Sequence, residues 1–382
     1  MPSRILLAPN SMKGSLDAGQ VANAMEQGVR KVVPNAEVVK MPVADGGDAF
    51  LDIMHSIHQG VLVETKVEDP LGKKITTSFS RSQDGSTAFI ELAKASGLNL
   101  LKKHEYDPLK TSTYGTGQLM VKAMEIGCSK IILGVGGSAT VDAGCGILQA
   151  LGIRLLDVNN REIAKGGGHL SSIYNIDNSG SNPSLNKTGI VIACDVENVL
   201  TGTQGAACVF GPQKGSRKQD VNILEKGLEH FAKITLEQTR KEIANLKYGG
   251  AAGGVPAGLY AWLNAELVPG SKLVLQEYNF EEMLENTGLV FTAEGKLDSQ
   301  SLQGKAPYEV AKKCKEENVP VVCICGMLDE NCPTELFDFF EAVLPLTDKQ
   351  ITQDVAMVNA GKLISEKIGQ YLKGRDMILY SD

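Results

Sequence analysis

The sequence predicts an α/β protein of two domains, and three observations support this. Apolar runs typical of buried strands alternate with segments of helical periodicity at both chain ends, which favours parallel sheets with crossover helices. The middle of the chain differs, because residues 61–92 contain short β-rich runs joined by turns. The length of 382 residues also exceeds that of one typical domain of about 150 residues.

We therefore predict an outer Rossmann-like or flavodoxin-like parallel-sheet domain formed by both chain ends, residues 1–60 and 287–382. An inserted mixed α/β domain is predicted for residues 61–286. Ligands of such proteins bind beyond the carboxyl ends of parallel strands and between domains. The active site is accordingly expected in the cleft between the two domains.

In the outer domain, the buried-strand pattern of residues 5–8 precedes a helix that starts near residue 15, with Val21, Met25 and Val29 on its apolar face. A second strand at residues 37–41 and a helix through Phe50 and Met54 follow. The later part of this domain is predicted to contain strands at 289–292, 320–325 and 342–346, a helix at 308–315, and a closing helix with Ile364, Ile368 and Leu372 on one face.

The inserted domain begins with the turn-rich residues 61–92, which predict an antiparallel hairpin or meander. Its remaining predicted elements are buried strands at 131–133 and 189–193, a hairpin over 154–170 that ends in three glycines, a polar loop at 179–186, and a long amphipathic helix over 221–243.

Composition excludes several classes of protein. The net charge of -7 and the isoelectric point near 5.5 argue against a nucleic-acid partner, which needs a basic surface. No stretch approaches the ~20 apolar residues that span a bilayer, and the first apolar run is too short for a signal peptide. The eight cysteines mostly lie in apolar runs, as reduced core cysteines do. We predict a cytoplasmic protein without a membrane partner.

The most informative motif is the glycine-rich stretch 134–144, which lies between an apolar strand and a helix. Its Gly136, Gly137 and Ser138 suit a turn whose backbone N–H groups bind a phosphate, because glycine lets the backbone approach an anion closely. The stretch lacks the spacing of a P-loop and of a dinucleotide-binding turn. A strand-to-helix turn without a ligand therefore remains the alternative.

Charged residues follow other strands. Lys13 lies between the first strand and the first helix, where it could neutralise a phosphate or carboxylate or be an ordinary solvated lysine. Asp45, beside two glycines, could be a base, a metal ligand, a ligand of a substrate hydroxyl or a helix cap. Asp195, at the end of a buried strand, is a candidate for Mg²⁺ binding or proton abstraction.

Further candidates are Lys214 in a tight turn and the set Lys296, Asp298 and Lys305 after a strand. Carboxylates, lysines and glycine turns at many strand ends suit phosphoryl transfer, which depends on positioning and charge neutralisation. Hydride transfer is disfavoured because no dinucleotide fingerprint is present, and serine hydrolysis because no G-x-S-x-G motif is present.

Taken together, the motifs resemble the bacterial class I glycerate kinases over nearly the whole chain and in the same order. Eight segments carry the resemblance: residues 8–16, 42–47, 114–117, 136–140, 193–196, 210–215, 250–254 and 294–300.

The resemblance implies a phosphotransferase that uses ATP and Mg²⁺ to phosphorylate D-glycerate on its 2-hydroxyl, giving 2-phosphoglycerate. Three alternatives stay open: a kinase that forms 3-phosphoglycerate, a kinase for another small hydroxy acid, and a non-catalytic metabolite-binding protein. A homodimer is an option that the sequence does not decide.

With this function, the residues receive hypothetical roles. Asp45, Asp195 and Lys13 are the catalytic candidates, and Asp195 and Asp298 are the Mg²⁺ candidates. The candidates for nucleotide binding are Gly136, Gly137, Ser138, Lys214, Lys296, Asp298 and Lys305. Asn10, Ala293 and Lys296 stand where the family usually has aspartate, glycine and arginine, which leaves the substrate preference open.

Overall fold

The structure is a computed structural model that describes residues 4–47, 49–194, 196–302 and 304–379. The chain divides into two units, residues 1–44 with 271–382, and residues 45–270. Both division points lie earlier than the predicted boundaries after residues 60 and 286. The first lies earlier because the helix Phe50–Ile57 packs on strands of the second unit. The second lies earlier because Ser271 Oγ donates a hydrogen bond to the Gly304 carbonyl oxygen in the first unit.

The elements follow in chain order. The first unit begins with β1 (Arg4–Pro9), α1 (Ala18–Arg30) and β2 (Glu37–Lys40). The second unit contains α2 (Phe50–Ile57), β3 (Val61–Glu68), β4 (Lys74–Arg81), β5 (Thr87–Glu91), α3 (Ala93–Ser96), α4 (Tyr114–Glu125), β6 (Lys130–Gly134), α5 (Cys145–Ala150), β7 (Arg154–Leu156), β8 (Asn175–Asp177), β9 (Gly189–Cys194), α6 (Ala206–Phe210), α7 (Lys218–Thr239), α8 (Val255–Leu263) and β10 (Glu266–Pro269). The chain continues with α9 (Gly270–Glu277), α10 (Phe280–Leu284), β11 (Thr287–Leu297), α11 (Ala306–Glu316), β12 (Val321–Leu328), β13 (Ala342–Pro345), α12 (Gln353–Val358) and α13 (Ala360–Leu379).

The first unit is built on a parallel sheet of five strands in the order β13-β12-β11-β1-β2. Its central strands β1, β11 and β12 are mainly buried on both faces because helices cover them, as in other parallel sheets. Ile5 and Phe291, for example, lie in one apolar core with Val29 of α1 and Ile364 of α13. Helix α11 contacts β1, β11 and β12.

The second unit contains a mixed sheet of six strands in the order β10-β9-β6-β5-β4-β3. The four strands β10, β9, β6 and β5 run parallel, and the hairpin β3–β4 joins them antiparallel. The hairpin or meander predicted for residues 61–92 is therefore confirmed. The α/β fold class, with a parallel sheet from both chain ends and a mixed inserted region, is confirmed as well.

Local signals set several element boundaries. Helix α1 begins after Asp17 rather than at residue 15, because Asp17 and Gln20 form a reciprocal capping box. Helix α7 ends at Thr239, before the predicted residue 243, because Arg240 has a left-handed backbone with φ 62°.

The predicted hairpin over residues 154–170 is wrong. Strand β7 pairs with the later strand β8, and within the predicted hairpin it makes only one isolated bridge, from Leu156 to Glu162. The glycines that follow pack against backbone, since a Cβ at Gly166 would lie 2.6 Å from the Leu109 carbonyl oxygen. Close backbone packing therefore explains these glycines better than a hairpin end.

The eight cysteines all lie in the described ranges and are free thiols there. Within the same ranges, no helix combines the length and the apolarity that a membrane span requires.

Candidate active site

In the first unit, the strand order creates a place for a ligand. From β1 the chain proceeds to β2 on one side, whereas β11, β12 and β13 extend the sheet on the other side. The two halves of the sheet diverge between β1 and β11, and open α/β sheets bind ligands outside the carboxyl ends of strands at such a switch point. Read from β2, this order is the flavodoxin-like one.

Two lysines and two carboxylates lie at or beyond the carboxyl ends of β11 and β12. Lys296 Nζ lies 2.6 Å from Asp329 Oδ2 and 4.0 Å from Asp298 Oδ2. Lys305 Nζ lies 3.7 Å from Asp298 Oδ1. The hydrogen bond from Lys296 lowers the pKa of Asp329, and the same bond raises the pKa of Lys296. The ion pair of Lys296 and Asp329 is therefore favoured near neutral pH, and both lysines are partly accessible to an anion.

Asn10 and Glu294 meet at the ends of β1 and β11. The Asn10 side-chain amide donates to Glu294 Oε2 over 3.5 Å, and its Oδ1 accepts from the Ser11 N–H at 2.7 Å. The Asn10 residue is 7% exposed, so an aspartate here would place a buried carboxylate next to the half-buried carboxylate of Glu294. This contact gives the unusual Asn10 a physical basis, whereas nothing in the structure explains Ala293.

A cavity of about 260 Å³ opens at the same sheet edge. We call it the edge cavity. It is lined by residues after β1, at the ends of β11 and β12, directly before α11, directly after β13, and from α12 and α13. These include Lys13, Lys296 and Lys305, three of the predicted site residues.

In the second unit, the glycine-rich turn lies between β6 and α5. Gly137 has φ 71°, a conformation that favours glycine. The Gly136 N–H donates to the Gly46 carbonyl oxygen at 3.2 Å, and the Ala139 N–H donates to the Ser96 carbonyl oxygen at 2.8 Å. Two of the N–H groups in the predicted phosphate turn thus hold the turn itself.

Lys214 supports this turn from inside the protein. The residue is 3% exposed, and its Nζ donates to Ser138 Oγ at 2.7 Å and to the Thr140 carbonyl oxygen at 2.8 Å. The tight turn around Lys214 is fixed by Gly215, whose φ of 100° favours glycine. Because the ammonium is buried and bonded to the turn, Lys214 shapes the turn from behind.

Asp142, which sequence reasoning did not select, anchors the other end of the turn. Its fully buried carboxylate accepts from the Thr113 N–H and Oγ1 at 2.8 and 2.9 Å, and from the Gly144 and Gly146 N–H groups at 3.2 and 3.3 Å. Burial raises the pKa of Asp142, whereas these four donors favour its charged form. Asp142 thereby joins the start of α4 to the start of α5.

The loop of Asp45 lies against the end of β9. A Cβ at Gly46 would lie 2.6 Å from the Ala193 carbonyl oxygen, so the loop and the strand end are in close contact. Asp45 is half-buried. Asp195, predicted at the end of the same strand, lies outside the described residues.

A model of the glycerate kinase family matches residues 5–373. The chain belongs to the glycerate kinase family. It is 43% identical over 362 residues to a glycerate kinase of Halalkalibacterium halodurans, with 95% of each chain covered. It is also 44% identical over 328 residues to the glycerate 2-kinase of Escherichia coli, with 86% of each chain covered.

Among solved structures, a crystal structure described as a glycerate kinase 2 from Salmonella typhimurium LT2 matches with a TM-score of 0.85 and 38% identity. The match covers 99% of this chain and 100% of the other. The resemblance to glycerate kinases is thus confirmed.

In this glycerate kinase family member, each unit brings part of the predicted set together. The first unit groups Lys296, Asp298 and Lys305, with Lys13 lining the same cavity as both lysines. The second unit joins Lys214 to the glycine-rich turn. Sequence analysis did not select Asp329. Because Asp329 directly follows the buried strand β12, the pattern of charged residues after buried strands could have identified it.

Proposed function

We propose that this chain is a glycerate kinase that transfers the terminal phosphoryl group of ATP to the 2-hydroxyl of D-glycerate, giving 2-phosphoglycerate. Family membership and the 44% identity to the Escherichia coli glycerate 2-kinase support this choice. The observation that carries it is the cluster of Lys296, Asp298, Lys305 and Asp329 at the switch point of a parallel sheet. Phosphoryl transfer requires such a set of fixed cations beside carboxylates.

In this proposal, Lys13, Lys296 and Lys305 bind the negative charges of the substrates. Asp45 and Asp195 are the candidates for the base that takes the proton of the glycerate hydroxyl. Gly136, Gly137 and Ser138 provide an anion-binding turn, which Lys214 holds in place.

Mg²⁺ is the expected companion of ATP. Within the described ranges, no group of three or more histidine, cysteine, aspartate or glutamate side chains could hold a metal ion. Mg²⁺ in kinases is usually held by one or two carboxylates together with the phosphates. Asp298 and Asp195 are the proposed carboxylates. The ion, when bound with ATP, neutralises charge on the phosphates.

The proposal is tested by ADP release from ATP and Mg²⁺ with D-glycerate as acceptor, and in parallel with L-glycerate, glycolate and lactate. We expect turnover that depends on D-glycerate. Faster turnover with another acid would make the chain a kinase for that acid, an outcome that Asn10 and Lys296 motivate. Binding of D-glycerate by calorimetry without ADP release would identify a non-catalytic metabolite-binding protein.

We also propose a cytoplasmic location without nucleic-acid or membrane partners, on the basis of the net charge of -7 and the lack of a long apolar stretch. A homodimer stays an option. Light scattering coupled to size exclusion would decide the assembly, because a monomer has a mass of 40.8 kDa.

A further inference from the structure

We propose that the edge cavity of the first unit binds the adenine base of ATP, with the phosphates at the lysines around its mouth. This inference rests on the proposed function insofar as it takes ATP as the phosphoryl donor. It assigns the base to a defined set of residues.

The position of the cavity is the first argument. Met12 follows β1, and Leu346 follows β13. Gly295 and Met327 lie near the carboxyl ends of β11 and β12. The cavity therefore spans the carboxyl ends of four neighbouring strands and includes the switch point between β1 and β11. This is the place where doubly wound sheets bind nucleotides and flavins.

The chemistry of the lining is the second argument. Met12, Met327 and Met357 contribute three thioethers, and Leu346 adds an aliphatic side chain. Methionine sulfur makes favourable contacts with aromatic rings, and its flexible side chain adapts to a flat ligand. A purine offers two apolar faces to such walls. A three-carbon hydroxy acid has no flat apolar face to set against these walls.

The shape of the cavity is the third argument. Its volume of about 260 Å³ suits a single base, since pockets for drug-sized ligands start at about 300 Å³. Ala356 and Ala360 are 4% and 2% exposed, and their small side chains leave room on the helical wall. A Cβ at Gly326 would lie 2.5 Å from the Gly295 carbonyl oxygen, so the floor there must be bare backbone.

The wall and the mouth are held in place. Ser15 Oγ donates to the Met357 carbonyl oxygen at 2.6 Å, which ties the wall helix to the loop after β1. At the mouth, Lys305 directly precedes α11, an 11-residue helix with a proline in its first turn. The N-terminus of such a helix attracts phosphate, and Lys13 and Lys296 add two more cations to the lining.

The test fills the cavity by Ala356→Phe and uses Val358→Phe as the matched control. Val358 lies on the same helix but is 85% exposed and is not part of the lining. We expect Ala356→Phe to raise the KM for ATP at least about tenfold while the KM for D-glycerate changes less than about twofold. Val358→Phe should leave both constants unchanged. An increase in the KM for D-glycerate alone would overturn the proposal and assign the cavity to the acceptor.

A second measurement uses the unmodified chain and needs no turnover. Peroxide oxidation of the partly exposed Met327 and Met357, read by mass spectrometry, should slow when adenosine is present. The control is Met283, which is partly exposed on α10 and outside the cavity. Tripolyphosphate alone should protect neither cavity methionine.

The two proposals fail in different ways. Protection by adenosine without any turnover of D-glycerate would support the base site and contradict the proposed acceptor. Turnover of D-glycerate without protection of Met327 and Met357 by adenosine or ATP would contradict the base site alone.

Discussion

Asp142→Asn tests whether a buried carboxylate holds the glycine-rich turn between two helix starts. In the structure, Asp142 Oδ2 accepts from the Thr113 N–H, Thr113 Oγ1 and the Gly146 N–H, whereas Oδ1 accepts from the Gly144 N–H. An asparagine can keep its single oxygen at the position with three donors. Its amide NH₂ group then faces the Gly144 N–H, and two donors oppose each other.

The magnitude follows from this count. A buried donor left without its acceptor costs about 1–3 kcal/mol, and the three remaining bonds weaken because their acceptor is no longer charged. Relief of the buried charge offsets part of this loss, since burial raises the pKa of Asp142. We expect a net loss of about 2 kcal/mol in the free energy of unfolding, or about 4–8 °C in Tm for a unit of this size.

The assay is urea unfolding followed by the fluorescence of Trp262, the only tryptophan of the chain. Trp262 lies in α8 of the second unit and donates to Thr235 Oγ1 at 3.2 Å, so it reports on the unit that contains Asp142. The control is Asp157→Asn. Asp157 caps a surface turn by accepting from the Asn159 and Arg161 N–H groups, a role that asparagine also fills.

Asp157→Asn should change the free energy of unfolding by less than about 0.5 kcal/mol. If Asp142→Asn unfolds at the same urea concentration as this control, the four hydrogen bonds do not hold the turn, and the reasoning is refuted.

Three further predictions concern the charged groups. Lys214→Met removes the hydrogen bond to Ser138 and should lower kcat about tenfold, which corresponds to the loss of one hydrogen bond from a charged group. An unchanged kcat would show that the turn does not depend on Lys214. Lys296→Ala should raise the KM for ATP about tenfold, whereas the control Lys362→Ala, on the exposed side of α13, should leave it unchanged. Equal effects of the two substitutions would attribute the change in KM to the net charge of the protein rather than to the site. Because Lys296 lowers the pKa of Asp329, the ion pair persists as the pH falls, until the pH reaches that lowered pKa. An NMR titration should therefore show the Asp329 carboxylate ionised throughout pH 5–9. A titration midpoint inside that range would contradict the pairing.

Much of the fold could be read from short-range patterns. The apolar face of α1, with Val21 and Met25 spaced by one helical turn, and the continuous apolar runs of β1 and β11 predict their own burial, because periodicity depends only on neighbours in the chain. The order of glycine-rich and charged motifs was sufficient to identify the family.

Features that depend on distant residues could not be read in this way. Three contacts join residues far apart in the sequence: the pairing of β7 with β8, the bonds of Lys214 to the turn and the two hydrogen bonds from Thr113 to Asp142. A lysine in a turn has the same local pattern whether its ammonium points to solvent or to Ser138. The substrate contacts of Lys13 and Asp45 stay predictions for the same reason.

The most direct test of the central claim is the position of the new phosphate. The product formed from ATP and D-glycerate is supplied to enolase, with and without phosphoglycerate mutase, and phosphoenolpyruvate is measured. Phosphoenolpyruvate formed without the mutase is the predicted result, because enolase acts directly on 2-phosphoglycerate. Phosphoenolpyruvate that requires the mutase would show transfer to the 3-hydroxyl and would contradict the account.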